Sequence, residues 1–174
     1  MRDEMIVAGG CFWCLEAIFK RIKGVKKVTS GYAGCKHPNP TYEQVCTGTT
    51  KCAEAVKIEF DPKAISYEEL LKIFFAVHDP TQLNRQGADV GTQYRSAIFP
   101  LDEEQRATAQ KVIQELNPYF DDKIVTTIED PGEFYEAEAY HQDYFDRNPH
   151  QPYCQAVIAP KLSKFMTHFK EYLK

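Results

Sequence analysis

Apolar positions along the chain switch between two rhythms. Met5–Ala8 is a short unbroken apolar run and predicts a buried strand. Beyond Gly9 and Gly10, the residues Phe12, Leu15, Ile18, Phe19 and Ile22 recur at spacings of three and four, one apolar helix face that ends near Gly24. Val25–Ala33 reads as a second strand, and residues 34–53 as a loop punctuated by Pro38, Pro40 and Gly48. Glu54–Phe60 alternates, with Val56, Ile58 and Phe60 on one side and Lys57 and Glu59 on the other, so it predicts a half-buried strand turned by Asp61 and Pro62. Ser66 and Glu69 form a capping-box pattern that opens a helix running to about His78.

The second half is more broken. Residues 79–93 read as a polar loop and Arg95–Phe99 as a short strand. Asp102 and Gln105 open an amphipathic helix that closes before Pro118, and Ile124–Ile128 is strand-like. Ala137–Phe145 reads as a short helix and Pro160–Leu173 as a terminal one, with Gln155 onward entering it as strand or coil. The order β-α-β, loop, β-α-β-α-β predicts an α/β (α+β) two-layer domain with a ferredoxin-like mixed sheet and helices packed on it. A length of 174 residues fits a single domain, 1–174, with no internal repeat.

Composition narrows the function classes. The chain is 43% hydrophobic and 26% charged, enough to bury a real core. Its net charge of −4, with no dense Lys/Arg run, argues against nucleic acid or an anionic membrane as partner. The charged opening Met1–Glu4 and the short apolar run after it do not form a leader, and no segment approaches a membrane span, so a cytoplasmic monomer is expected. Six cysteines in such a protein point to reactive or metal-binding thiols rather than a static disulfide framework.

The densest chemistry lies in Gly9–Glu16, "GGCFWCLE". Cys11 falls where a strand passes into a helix. Unpaired N–H groups and the helix dipole favour thiolate there, so Cys11 is a candidate nucleophile. Cys14, three residues on, allows a local disulfide, and Phe12 and Trp13 between them offer apolar walls. Three chemistries stay open on these residues alone: sulfur redox catalysis, general dithiol exchange through Cys11 and Cys14, and a structural zinc site. The zinc reading lacks a good second pair, because Cys46 and Cys52 are six apart and Cys35 and His37 two apart.

The chain resembles the A class of peptide methionine sulfoxide reductases. "GCFWCLE" is similar to the family signature, and "GYAG" (31–34), "PNPTYEQVCTG" (38–48), "AEAV" (53–56), "HDPTQLNRQGADVGTQYRSAIF" (78–99) and "AEAYHQDYF" (137–145) follow in the family's order. The resemblance implies an enzyme that reduces the S epimer of methionine sulfoxide, free or in a protein, and so repairs oxidised methionine. It implies Cys11 as nucleophile, Glu54 as acid, and Tyr42 and Tyr94 as hydrogen-bond donors to the sulfoxide oxygen. Phe12 and Trp13 match walls that receive the S-methyl group. Asp89 matches a residue that orients partners, and His141 and Tyr144 match the pocket rim. Gln93 and Arg95 read as structural.

The resemblance further implies a sulfenic acid on Cys11, resolved by a second cysteine, with thioredoxin (dithiothreitol in vitro) as reductant and no bound metal or cofactor. Here the sequence departs from the family. Position 14 is cysteine instead of glycine, Cys35 replaces a glycine, Cys52 replaces the histidine before "AEAV", and the Gly-rich tail gives way to Gln155–Lys174. Cys154 in "NPHQPYC" matches a family resolving cysteine and is the first candidate; Cys14 is the second. Cys35 and Cys52 are outlying candidates for relaying a disulfide outward, and Cys46 reads as structural.

Overall fold

The alternating segment Ala53–Phe60 forms the centre of the sheet, as its two unlike faces require. The structure is a computed structural model describing residues 3–174, so Met1 and Arg2 of the charged opening lie outside it. Its strands are β1 (Glu4–Ala8), β2 (Val25–Ala33), β3 (Ala53–Phe60), β4 (Arg85–Gln86), β5 (Asp89–Val90), β6 (Ala97–Phe99), β7 (Thr127–Ile128) and β8 (Tyr135–Glu136). Its α-helices are α1 (Phe12–Phe19), α2 (Tyr42–Cys46), α3 (Tyr67–Val77), α4 (Glu103–Leu116), α5 (Tyr144–Arg147) and α6 (Ala159–His168).

Six strands form one sheet in the order β7-β6-β1-β3-β2-β8. Its inner four, β6-β1-β3-β2, pair antiparallel with α1 and α3 as crossovers, which is the expected ferredoxin-like arrangement. The sheet is mixed because β7 joins β6 in parallel. One face carries Met5, Val7, Val56, Ile58 and Phe60 into a core with Leu15, Ile18 and Phe19 of α1 and Leu70, Leu71 and Phe74 of α3. The other face is built of Ile6, Ala8, Ala33, Ala53, Ala55, Ala97 and Phe99. Strand period two puts Glu54 and Cys52 on the side of Val56, under the helices.

The caps read from sequence hold. The Ser66 hydroxyl accepts from Glu69 N while the Glu69 carboxylate accepts from Ser66 N, and Asp102 accepts from Gln105 N. The stretches read as loops contain more. Thr41 and Gln44 make a capping box that opens the five-residue α2, and residues 79–93 fold a tight β4–β5 hairpin. The helix expected over Ala137–Phe145 breaks in two at Asp143, whose φ of 55° no α-helix tolerates. The C-terminal segment is helical from Pro152 and soon widens into a π-helical stretch, Cys154–Ile158. Pro160 has no N–H to give the Ala156 carbonyl, and the wider turn absorbs that break. Among the described residues no helix is long and apolar enough to cross a membrane.

Cys35 and Cys52 form a disulfide. The pairing of Ala33 with Ala53 brings the ends of β2 and β3 together, so the two cysteines that follow and precede them meet. Thiols expected to be reactive are thus joined, and neither is free to resolve a sulfenic acid in this state. The bond closes the segment carrying α2. Replacing both cysteines with serine should lower the unfolding free energy by about 3 kcal/mol, a fall of about 10 °C in Tm by calorimetry. Reduced wild-type protein should match the double variant.

Candidate active site

Cys11 caps α1 with an extended backbone (φ −70°, ψ 128°), and its carbonyl accepts from Cys14 N at 3.2 Å and Leu15 N at 3.5 Å. This leaves its side chain at the end of the helix where the unpaired N–H groups point, and Trp13 N–H donates to the sulfur. Gly10 makes the approach possible. Its φ is +91°, and a Cβ there would stand 2.9 Å from the Gln86 side chain.

The helix start nevertheless does not lower the thiol's pKa. Burial raises Cys11 well above the usual cysteine range, negative charge on Glu54 raises it further, and the Trp13 N–H only partly opposes them. The resting site holds a thiol, contrary to the thiolate that the helix dipole alone predicts.

Glu54 lies at the end of β3 nearest α1 and is 1% exposed. Its Oε1 accepts from Phe12 N at 3.2 Å, which ties the carboxyl to the residue after Cys11. Its Oε2 is buried without a hydrogen-bond partner. Burial pushes the carboxyl up to about 8, with the Phe12 N–H opposing and the charge of Asp89 adding. Among the described residues, the buried side-chain polar atoms without partners are this oxygen and His141 Nε2. Both face one site, and unsatisfied buried groups in a folded protein call for such an explanation.

Loops bring the remaining groups. Tyr42 opens α2, and Glu138 Oε2 accepts from its N–H at 2.9 Å while Glu138 Oε1 accepts from the Tyr32 hydroxyl at 2.8 Å. Burial and the charge of Glu54 raise the Tyr42 phenol, which also hydrogen-bonds Cys46. Tyr94 ends the short helix Thr92–Tyr94, and burial with the charges of Glu54 and Cys11 raises its phenol too. Both phenols therefore stay protonated donors. Arg95 pairs with Glu129 at 2.8 Å, and Gln93 donates to the Cys46 carbonyl, so both serve the framework.

An aromatic wall stands beside the sulfur. Trp13 stacks on Tyr144 at 3.8 Å, nearly parallel, and its indole N–H donates to His141 Nδ1 at 2.9 Å. His141 packs on Tyr42 at 4.4 Å and on Phe12 at 5.1 Å. Trp13 keeps an accessible surface, whereas Phe12 is fully enclosed beneath Tyr42, His141 and Tyr32.

Tyr153 is a site residue that the sequence reading missed. Its hydroxyl donates to Asp89 Oδ2 at 2.5 Å and is also hydrogen-bonded to the Cys11 thiol. Its ring meets Trp13 edge-on at 5.9 Å. The available signal was its place directly before Cys154 in "NPHQPYC". Glu138, inside the quoted "AEAYHQDYF", was missed as well. Cys154 is 0% exposed, and burial raises its thiol. Cys14 is buried in the first turn of α1, and burial lifts it to about 11 against the pull of Lys161. Cys11, Cys14, Cys46 and Cys154 are free thiols, and no group of three or more His, Cys, Asp or Glu among the described residues is placed to hold a metal.

Comparison with known proteins places this geometry. The family model described as peptide methionine sulfoxide reductase matches residues 3–173. A protein of Nitratiruptor sp. named peptide methionine sulfoxide reductase MsrA is 76% identical over 174 residues, covering all of both chains. Mxr1 from Saccharomyces cerevisiae in reduced form superposes with a TM-score of 0.79 at 38% identity, over 87% of this chain and 88% of that one. Mxr1 in complex with Trx2 superposes at 0.56 with 27% identity, over 81% and 83%.

The buried carboxyl has a measurable cost. The folded chain keeps a proton on Glu54 that the unfolded chain releases above about 4.5, so this group removes stability as pH rises from there to about 8. Glu54→Gln keeps the acceptor for Phe12 N and has no such proton. In urea unfolding it should equal wild type near pH 4 and exceed it by roughly 4 kcal/mol at pH 8. A difference that does not change with pH would mean Glu54 is ionised in the fold.

Proposed function

The chain belongs to the peptide methionine sulfoxide reductase family and is an oxidoreductase of its A class, and from this we propose that it reduces the S epimer of methionine sulfoxide, in proteins or as the free amino acid, through Cys11. The observation that carries the reading is a free thiol with a buried carboxyl of raised pKa tied to the next residue. A sulfoxide seated there turns its positive sulfur toward Cys11 and its negative oxygen toward Glu54, Tyr42 and Tyr94. Both ends of that dipole draw the neutral thiol toward thiolate and keep the acid protonated until it donates.

The thiolate attacks the sulfoxide sulfur as Glu54 and the phenols take up the charge growing on the oxygen. The bond from the Cys11 sulfur to the substrate sulfur then breaks as the oxygen passes to Cys11: the substrate sulfur, reduced by two electrons, leaves as methionine, and Cys11 is left oxidised to a sulfenic acid. A second thiol attacks that sulfur, a disulfide forms, and water leaves with the oxygen. A dithiol reductant then exchanges with the disulfide, becoming a disulfide itself and restoring the thiols. The balance is methionine sulfoxide plus dithiol giving methionine, disulfide and water. Thiols carry both electrons, so the proposed cycle takes no bound cofactor or metal. The Mxr1 complex with Trx2 supports thioredoxin as the physiological reductant. The proposed enzyme is a single-domain cytoplasmic monomer.

Trp13, backed by Phe12 and fixed by His141 and Tyr144, receives the S-methyl group, and Asp89 orients Tyr153 over the sulfur. Cys154 is the preferred resolver. Its neighbour Tyr153 already touches Cys11, so a local opening of the turn can deliver it. Cys14 is the second choice.

Turnover with dithiothreitol on separated epimers tests the reading. Only the S epimer should be consumed, and Cys11→Ser should abolish all reduction. Cys154→Ser should release about one methionine per enzyme and then stall with thioredoxin. Normal thioredoxin cycling by Cys154→Ser, with stalling by Cys14→Ser, would move the resolver to Cys14.

A further inference from the structure

We propose that Glu16 is a positioning residue for the sulfoxide-binding wall, its buried carboxylate clamping the backbone bend that carries His141 and Tyr144 against Trp13. This rests on reading that wall as the substrate pocket. Glu16 is one helical step from Trp13, at i+3 on α1, and is 3% exposed. Both of its oxygens accept from a single donor, Asp143 N, at 3.0 Å each, and Ser30 Oγ approaches Oε1 at 3.4 Å.

Asp143 is the bend itself. It lies in the left-handed region (φ 55°, ψ 32°), a strained conformation for a residue with a Cβ. The two residues that fix the indole straddle it. His141, two before, accepts the Trp13 N–H, and Tyr144, directly after, stacks on the ring. Gln142, between them, pairs its side-chain amide with Ser30 N and O at 2.9 Å each, standing in for a strand.

Simple attachment does not need Glu16. Ion pairs from Lys20 to Asp143 and Asp146, and from Arg21 to Asp146, already tie the same segment to α1 at its surface. Those pairs grip side chains, whereas Glu16 alone grips the bend's amide. Burial pushes its carboxyl up to about 7, so the fold keeps this group under the surface against its own solvation.

The test uses Glu16→Leu, which keeps volume without an acceptor, Glu16→Gln, which keeps one acceptor, and each with Asp143→Gly, which takes the left-handed bend without strain. The chain has one tryptophan, so its emission reports the wall independently of activity. Glu16→Leu should shift Trp13 emission and raise KM for a methionine sulfoxide peptide about tenfold, with kcat changed less than about threefold. Glu16→Gln should stay within about threefold of wild type, and Asp143→Gly should recover at least about half of the Leu loss on a logarithmic scale. Unchanged emission and KM in Glu16→Leu overturn the proposal, as does a Gln variant as impaired as the Leu variant. Should Glu16→Leu not fold, a Glu16→Gln protein more than about threefold from wild type in KM overturns it. Failure of wild type to reduce the sulfoxide sinks the pocket reading instead, while Trp13 emission still decides the clamp.

Discussion

One hydrogen bond governs the site: the N–H of Phe12, at the head of α1, donates to a carboxyl buried in the central strand. It joins the head of α1 to the central strand, so Cys11 and Glu54 are held to one another through a single residue. The bond also sets the electrostatics. It spends one oxygen of Glu54 on the helix and leaves the other without a partner. Such an orphaned oxygen costs about 1–3 kcal/mol. A core that seals Phe12, Val56, Ile58 and Phe74 almost completely can carry that cost. A chemically useful acid is what remains when burial outweighs the one N–H that favours its charge.

The rigid pair is completed by strained loops. The non-glycine residues at positive φ among those described are Asn39, Lys51, Asn84 and Asp143. Asn39 and Lys51 flank the α2 segment that brings Tyr42. Asn84 starts the hairpin that leads to Asp89 and Tyr94, and Asp143 divides His141 from Tyr144. Each of these three segments thus breaks a backbone rule at least once, and each is tied down nearby: by the Cys35–Cys52 disulfide, by Gly91 N donating to the Asn84 carbonyl, or by Glu16. Local rules give way where loops must aim side chains at a reaction centre.

The same division decides what could be read from the sequence. β2 and the Ser66-capped α3 were legible to within a residue or two, because each is a long segment whose pattern and caps agree. The ferredoxin-like order followed from them. Glu54 could have been called inward from its parity with Val56, although a glutamate at a strand's end ordinarily belongs to the surface. Tyr42, Tyr94 and Asp89 came from resemblance, since α2 is only five residues and the β4–β5 hairpin has two-residue strands, both too short for periodicity to register. The Cys35–Cys52 bond depended on a sheet register that spacing does not encode. Tyr153 escaped because a tyrosine beside a candidate resolving cysteine draws less notice than the cysteine.

The buried thiols add a constraint that the static site cannot meet alone. Cys14 and Cys154 are both enclosed with raised pKa values, and resolution needs a thiolate in contact with the Cys11 sulfur. Bringing Cys14 round means unwinding the first turn of α1, where its N–H is bonded to the Cys11 carbonyl and Phe12 N holds Glu54. That movement would dismantle the acid's anchor in the middle of the cycle. Bringing Cys154 round means opening a segment that Pro160 has already deprived of regular α-helical bonding, and releasing Tyr153 from Asp89 and Cys11. In the proposed cycle, oxidation of Cys11 adds an oxygen to the sulfur that the Tyr153 hydroxyl now meets, so the first half-reaction alters a contact that delivery of Cys154 would have to open. The chemistry and the weak point of the C-terminal turn therefore act in the same direction.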